Sequence, residues 1–565
     1  MMDGCDCICW SREAAPDVGF KEPEPFKLPA PIPQWPQGEG FAEGKISIGE
    51  LEVVKITKLQ SVWSCFSSKD KGRGATFYKP LEIPDGFYCL GHYGQPNNQP
   101  LQGFLLVVRE TTNSDSGTTS PSIRRPLDYT LIWSSSSWKD DSYDECGCVW
   151  LPLPPKGYKA LGYVVAKGPN KPSLEEVRCV RSDLTDACEI SDLIVDTELI
   201  FPDFACQVFK VRPCHRGMKG RGVAVGTFFC STDSIVEDEL SISCLRNFDS
   251  SLQAMPNLEQ IHALIKHYGP TVYFHPKETY LPSSVSWFFE NGASLYKRGI
   301  KMGEEINNDG SNLPAGGEND GEYWINLPDD GRIDYIKKGN LESSELYVHI
   351  KPALGGTFTD IAMWVFCPFN GPATIKVGVF DFPLSKIGRH VGDWEHFTLR
   401  VSNFSGELWS IYFSEHSGGE WVDACGLEFV AGNRAIVYSS KSGHASFPHQ
   451  GNYLQGSEKL GIGVRNDASK SKLSVDSSVN YRVVAAEYLG QGVVEEPCWL
   501  QYMREWGPTI VYDSKSELDR ILRFLPVNLR FTVENIFDSL PMELYGEEGP
   551  TGPKEKDNWK GDERC

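Results

Sequence analysis

The chain has 565 residues, 40% hydrophobic and 12% aromatic, with 55 Lys and Arg against 76 Asp and Glu, a formal charge of −21. That acidity excludes nucleic acid as a partner, because binding it needs clustered cations that displace counterions. It also disfavours a bare anionic membrane unless a bound cation bridges the two. The 17 Cys are odd in number and scattered through strand-like runs such as Val177–Val180, not spaced as a disulfide framework. The start, Met1-Met2-Asp3-Gly4, has no apolar leader. The expectation is an intracellular protein with reduced thiols, cytoplasmic or peripheral on endomembranes and not secreted. No stretch of 18 apolar residues predicts a transmembrane segment. Frequent Gly (54) and Pro (37) with few helical periodicities predict an all-β, mainly antiparallel fold. Four segments are expected: a flexible Cys/Pro-rich N-terminus (1–40), a β-prism-like repeat domain (41–248), a β-sandwich domain (249–510), and a C-terminal helical segment and tail (511–565).

Cys5, Cys7 and Cys9 are candidates for S-acylation or for a soft metal. Prolines at 23, 25, 29, 31, 33 and 36 then set an extended segment. A repeat follows. Pro84, Gly86, Phe87, Leu90 and Gly91 correspond to Pro155, Gly157, Tyr158, Leu161 and Gly162 at one constant offset. Each copy reads as a strand, a Pro-Gly turn, a second strand ending in Leu-Gly, and a third strand (Phe104–Val108 or Val177–Val180). A degenerate third copy is expected within 192–230. Three such units would form a prism. The pattern resembles β-prism-like modules of vacuolar-sorting and multivesicular-body-associated proteins, which implies lipid or protein binding. The stretch 134–147, Ser-rich and acidic, reads as a surface loop.

Leu258, Ile261, Leu264, Ile265 and Tyr268 recur at helical spacing after Asn257, a helix-capping residue, and Gly269-Pro270 ends the run. His262 and His267 on this helix have no evident partner. Thr271–His275 reads as a strand, and 303–332, acidic and Asn/Gly-rich, as a long loop. Ile361–Cys367 reads as a buried strand turned by Pro368–Pro372, and Thr374–Phe380 as the next strand.

The stretch Arg389-His390-Val391-Gly392-Asp393-Trp394-Glu395-His396 carries the densest chemistry. From Asp393 the sequence alternates, placing Asp393, Glu395, Phe397 and Leu399 on one strand face and His396 and Thr398 on the other. Two carboxylates buried side by side repel, and a divalent cation removes that penalty. His390, Asp393 and Glu395 are therefore candidate metal ligands, with Asn370 or Asp381 completing the shell. Mixed oxygen and nitrogen donors suit Ca²⁺, Mg²⁺ or Mn²⁺ better than Zn²⁺. His416, His444 and His449 lie in the two later His-containing stretches and join His396 and Glu278 as further polar candidates for the site.

Three stretches carry a resemblance: Pro276–Ser284 with Glu278, His390–His396, and Gly443–Pro448. Together with Gly549-Pro550-Thr551-Gly552-Pro553 they resemble the plant branch of the vacuolar protein sorting-associated protein 62 family over nearly the whole chain. This implies trafficking toward the vacuole. Residues 360–450 are also distantly similar to the necrosis-inducing (NPP-type) cytolysins. That likeness implies a β-sandwich whose G-H-R-H-D-W-E heptapeptide binds a divalent cation at a plant sphingolipid membrane. His390, Asp393 and Glu395 match three heptapeptide positions, whereas Arg389 and Gly392 depart from it.

Ser514-Lys515-Ser516-Glu517 reads as a capping box opening a helix that Pro526 ends, with a second helix at 532–539. Residues 545–565 read as a surface-wrapping or mobile tail. The function expected is a non-enzymatic, cation-dependent lipid- or protein-binding factor of the endomembrane system. Its partner would be a lipid headgroup or a trafficking protein, and its cation Ca²⁺ or Mg²⁺. The alternatives are a metal-dependent hydrolase using His390, Asp393 and Glu395, and a purely structural scaffold. Against the hydrolase, the chain has no P-loop, no H-E-x-x-H and no nucleophile elbow.

Overall fold

The computed structural model describes residues 21–563 apart from 68–72, 112–119, 137–145, 233–239, 250–251, 417, 458, 512–513, 526, 539–545 and 548. Cys5, Cys7, Cys9 and most of the Ser-rich stretch lie outside the described residues. The fold is mainly antiparallel β-structure with few helices. All cysteines among the described residues are free thiols.

The first domain is a threefold repeat. In the first unit Leu59–Phe66, Gly74–Pro80 and Tyr93–Pro96 form one three-stranded sheet, while Leu51–Ile56, Leu105–Glu110 and Tyr88–Cys89 belong to another. The second unit repeats this with Asp128–Ser134, Gly147–Leu153 and Val164–Lys167, and with Ile123–Arg124, Cys179–Arg181 and Tyr158–Lys159. The third does so with Cys188–Asp196, Gln207–Pro213 and Phe228–Ser231, and with Thr185–Asp186, Cys244–Arg246 and Gly222–Val223. Each unit thus has two sheets, not one, and the third spans 185–246, beyond the expected 192–230. It lacks the Pro-x-Gly turn, and Val225 replaces the Leu of the Leu-Gly pair. Leu90, Leu161 and Val225 meet in one core. Beside them Gly91 and Gly162 approach so closely that a Cβ on Gly91 would lie 2.8 Å from the Gly162 Cα. The Leu-Gly glycines therefore serve close packing where the units converge.

The helix Leu258–Tyr268 opens the second domain, with Asn257 and Gln260 forming a reciprocal capping box. The two histidines on it do have partners: His262 meets the Tyr481 hydroxyl and His267 meets Asn433. A six-stranded sheet runs in the order Gly418–Asp423, Leu408–Glu415, His390–Ser402, Phe358–Asn370, Leu346–Ala353, Tyr481–Ala485. A second sheet contains Arg434–Ser439, Thr271–Phe274 and Ser474–Asp476. One core between them takes Ile361, Met363, Val365, Phe397, Leu399 and Val401 from alternate positions. The opposite face of the large sheet carries an aromatic layer of Tyr347, Trp364, Phe366, Trp394, Trp499, Trp506 and Trp559.

Three segments differ from expectation. The single strand expected at 374–380 is a hairpin, Thr374–Val377 and Phe380–Pro383, because Gly378 turns the chain at φ 61°. From residue 21 the Pro-rich segment is docked: Phe26 bonds Leu101, Ala30 exchanges hydrogen bonds with Asn433, and Trp35 donates to the Ser405 carbonyl. The last described residues are docked at several points, not loose. Trp559 stacks on His349 at 3.9 Å, and Asn558 and Glu563 are also buried. The helices Ser514–Phe524 and Val527–Asp538 pack on the sheet of Thr374–Val377 and Ile462–Ala468. Ser514 lies inside the first helix rather than before it.

Candidate functional site

The site is built on the strand His390–Ser402. Its register with Phe358–Asn370 pairs Asn370 with His390, Cys367 with Asp393 and Val365 with Glu395. The register passes over Pro368 and Gly392. Gly392 adopts φ 69°, and a Cβ there would fall on the Trp506 carbonyl oxygen. This left-handed residue breaks the alternation: His390 and Asp393, three apart, come to one side, with His390 Nε2 4.0 Å from Asp393 Oδ1.

On its other flank the strand pairs with Leu408–Glu415 only from Phe397 onward. The residues before Phe397 border an open cavity of about 430 Å³. Asn370, His390, Asp393, Glu395, His416 and Lys556 are among its lining. Asp393 is buried, which raises its pKa, but its contacts to His444 outweigh burial and hold it below the ordinary carboxylate range. His444 is clamped at both nitrogens: Nδ1 lies 2.7 Å from Asp393 Oδ2 and Nε2 2.7 Å from the Tyr280 carbonyl. A carbonyl only accepts, so Nε2 carries a proton; Nδ1 donates to the carboxylate, and the ring is an imidazolium. Burial opposes that charge, yet the facing Cys367, Asp393 and Glu278 raise the His444 pKa well above 6.5. Glu278 is fixed by backbone N–H donors from Thr279, Tyr280 and Ser442 and lies 4.0 Å from His444 Nε2.

Glu395 is different. It is half-buried at the cavity wall, where Lys556 and His444 act on it electrostatically with no hydrogen bond to it among the described residues. Burial and the neighbouring Asp393 charge push its pKa well above 4.5. Asn370 donates through Nδ2 to the Gly388 carbonyl, while its buried Oδ1 accepts nothing. His390, Asp393 and Glu395 line one cavity but, among the described residues, do not bring three ligand atoms within 4.8 Å of one another as Cys367, Asp393 and His444 do, so a hard divalent cation would have to draw them together. His390, Asp393, Glu395 and Asn370 are the residues that would hold it.

The sequence profile of the vacuolar protein sorting-associated protein 62 family matches residues 22–563. The chain belongs to this family. Vacuolar protein sorting-associated protein 62 of Saccharomyces cerevisiae is 23% identical over 279 residues, covering 42% of this chain and 58% of that protein. The match therefore spans little more than half the length of that relative. Among solved structures, GNIP1Aa from Chromobacterium piscinae is similar with a TM-score of 0.27 and 17% identity, over 38% of this chain and 40% of that one. A structure described as "Toxin fold as basis for microbial attack and plant defense" is similar with a TM-score of 0.22 and 13% identity, over 41% and 76% of the two chains.

In this family member the expected site residues divide. His390, Asp393, Glu395, Asn370 and His416 share the cavity, and His416 Nε2 meets Asn466 Oδ1 at 3.0 Å. His444 and Glu278 lie behind Asp393 and lock it in place. Asp381 is not among the residues lining the cavity; it sits on the hairpin strand Phe380–Pro383 and pairs with Arg465. His449 is half-exposed and pairs with Glu428. His396 also lines the cavity, from the aromatic side of the sheet, stacked on Trp364 and 2.9 Å from Glu563. Sequence reasoning missed Cys367, Tyr280, Lys556 and Glu563. The alternation of Met363, Val365 and Cys367 already turned Cys367 toward the core, but only the strand register reveals its neighbour. Nothing in the sequence linked Glu563 to His396.

Proposed function

We propose that the protein is a cation-assisted binding factor for a polar lipid headgroup, acting peripherally on intracellular endomembranes in vacuolar protein sorting. The observation that carries this reading is Glu395: a carboxyl beside Asp393 on one strand face, in an open cavity, with no hydrogen-bond partner among the described residues. A cation held there offers vacant coordination positions to a phosphate or hydroxyl ligand. Membership of the vacuolar sorting family supports the cellular setting. A membrane approach is supported by the hairpin whose base, Ala373 and Thr374, lines the cavity. Its tip exposes Val379 (88%) and Phe380 (62%).

The test is flotation with phosphatidylcholine vesicles, with or without a phosphoinositide, in Ca²⁺, Mg²⁺ or EDTA. Cation-dependent flotation of the wild type and its loss in Glu395→Gln are expected. Thermal melting gives a second measure, since saturation at a hundred times Kd stabilises by about 2.7 kcal/mol. Flotation indifferent to cation, or equal in E395Q, refutes the reading.

A further inference from the structure

Behind the cavity a second donor set converges. Cys367 Sγ, an Asp393 carboxylate oxygen and a His444 ring nitrogen all lie within 4.8 Å of one another, and all three residues are buried. We propose that these residues form a site for a borderline-soft divalent cation of the zinc type, separate from the oxygen-rich set at His390, Asn370 and Glu395.

Three observations support it. The donors are a thiol, an imidazole and a carboxylate, the combination that zinc accepts and Ca²⁺ or Mg²⁺ does not. Deprotonated, Cys367 and Asp393 supply two negative charges, so a divalent ion leaves the buried cluster neutral. The support around the ligand is already built. His444 presents Nδ1 to the cluster and directs Nε2 at the Tyr280 carbonyl, the outer contact that fixes a metal-binding imidazole. His444 is also held at φ 56°, a left-handed backbone unfavourable for a non-glycine residue.

Zinc–ligand bonds of about 2.0–2.3 Å place tetrahedral donors roughly 3.3–3.6 Å apart. The His444–Asp393 contact of 2.7 Å must therefore open by about 0.6 Å, a side-chain adjustment. Binding sends the Cys367 thiol proton and the His444 Nδ1 proton to solvent and keeps the Nε2–H bond to Tyr280. Asp393 Oδ2 faces this cluster while Oδ1 faces His390, so one carboxylate serves both sets.

Cobalt(II) tests this, because thiolate ligation gives a near-ultraviolet charge-transfer band that oxygen and nitrogen ligands do not. The full chain, stripped with EDTA and reduced, is titrated with Co²⁺ and Zn²⁺ and compared with Cys367→Ser, His444→Asn and Glu395→Gln. Asn tolerates the left-handed backbone, so H444N serves if C367S fails to fold. Expected are a band in the wild type that Zn²⁺ abolishes, its loss in C367S and H444N, and a fall in Zn²⁺ affinity of at least about tenfold. E395Q keeps the band while losing the Ca²⁺ or Mg²⁺ response, so this site and the headgroup reading fail separately. No band in the wild type overturns the inference, as does a band of equal strength in C367S, which would belong to other cysteines.

Discussion

Glu563 offers the sharpest quantitative test of how the chain end holds the site strand. Its carboxylate is 2.9 Å from His396 Nε2, 2.6 Å from the Thr398 hydroxyl and 3.7 Å from Lys351 Nζ, with its side chain fully enclosed. Burial raises its pKa, but His396, Lys351 and Thr398 outweigh burial and bring it down to about 2. Against an ordinary value of 4.5, that difference is worth about 3.4 kcal/mol at pH 7. Glu563→Gln keeps the shape and removes the charge, so it costs about 3 kcal/mol, within the range for breaking one side of a buried ion pair. The sign follows from the lowered pKa. The stabilisation is complete above pH 4.5 and is lost as pH falls through about 2. The gap between wild type and E563Q therefore shrinks to about 1.4 kcal/mol at pH 3. Urea unfolding followed by tryptophan fluorescence at pH 7 and pH 3 measures both values, because Trp364 and Trp559 report on this layer. Coincident midpoints at pH 7, or a gap that does not change with pH, would refute the reasoning.

Two further substitutions probe glycines with defined neighbours. Gly392→Ala places a Cβ on the Trp506 carbonyl at φ 69°; it costs about 1–2 kcal/mol for the backbone alone and more for the contact. It also parts His390 from Asp393, so the Ca²⁺-induced rise in melting temperature disappears; an unchanged rise contradicts the geometry. Gly162→Ala drives a methyl into Thr227 where the three repeat units meet, costing about 1–3 kcal/mol. Limited proteolysis of 41–248 should accelerate, and equal cleavage rates would show that the units do not converge there.

The parts of the fold that the sequence made legible were those written in local chemistry. The capping box at Asn257, the alternation of Asp393, Glu395, Phe397 and Leu399, and the Leu-Gly pairs at 90–91 and 161–162 each follow from residues close in the chain. What stayed hidden depends on register or on distant partners. Asp381 and Asn370 were equal candidates because spacing alone cannot show that Gly378 folds 374–383 into a hairpin and carries Asp381 to Arg465. His396 and His444 looked alike as histidines. One faces Glu563 and the other Asp393 because they lie on opposite sides of the sheet. The third repeat was legible only in part, at 192–230 rather than its full 185–246, because Val225 and the turn before it differ from the other copies, while its strand pairing is the same.

One strand at the centre of a sheet thus carries several buried polar groups, and most are matched from afar. Asp393 is met by His444, His396 and Thr398 by Glu563, and Arg400 by Asp360 and Asp562. Apolar residues of similar volume would give comparable stability, because desolvation offsets most of the attraction within such pairs. Their effect is positional: the partners come from three separate segments, around Asp360, His444 and Asp562–Glu563, so only one register of the strand and one seat for Asp562 and Glu563 satisfy them all. Glu395 breaks that pattern. It shares a face with Asp393, borders the same cavity, and alone among these groups has no hydrogen-bond partner among the described residues, Lys556 and His444 acting on it only electrostatically. A strand that matches its other charges this closely leaves Glu395 for something that arrives through the cavity.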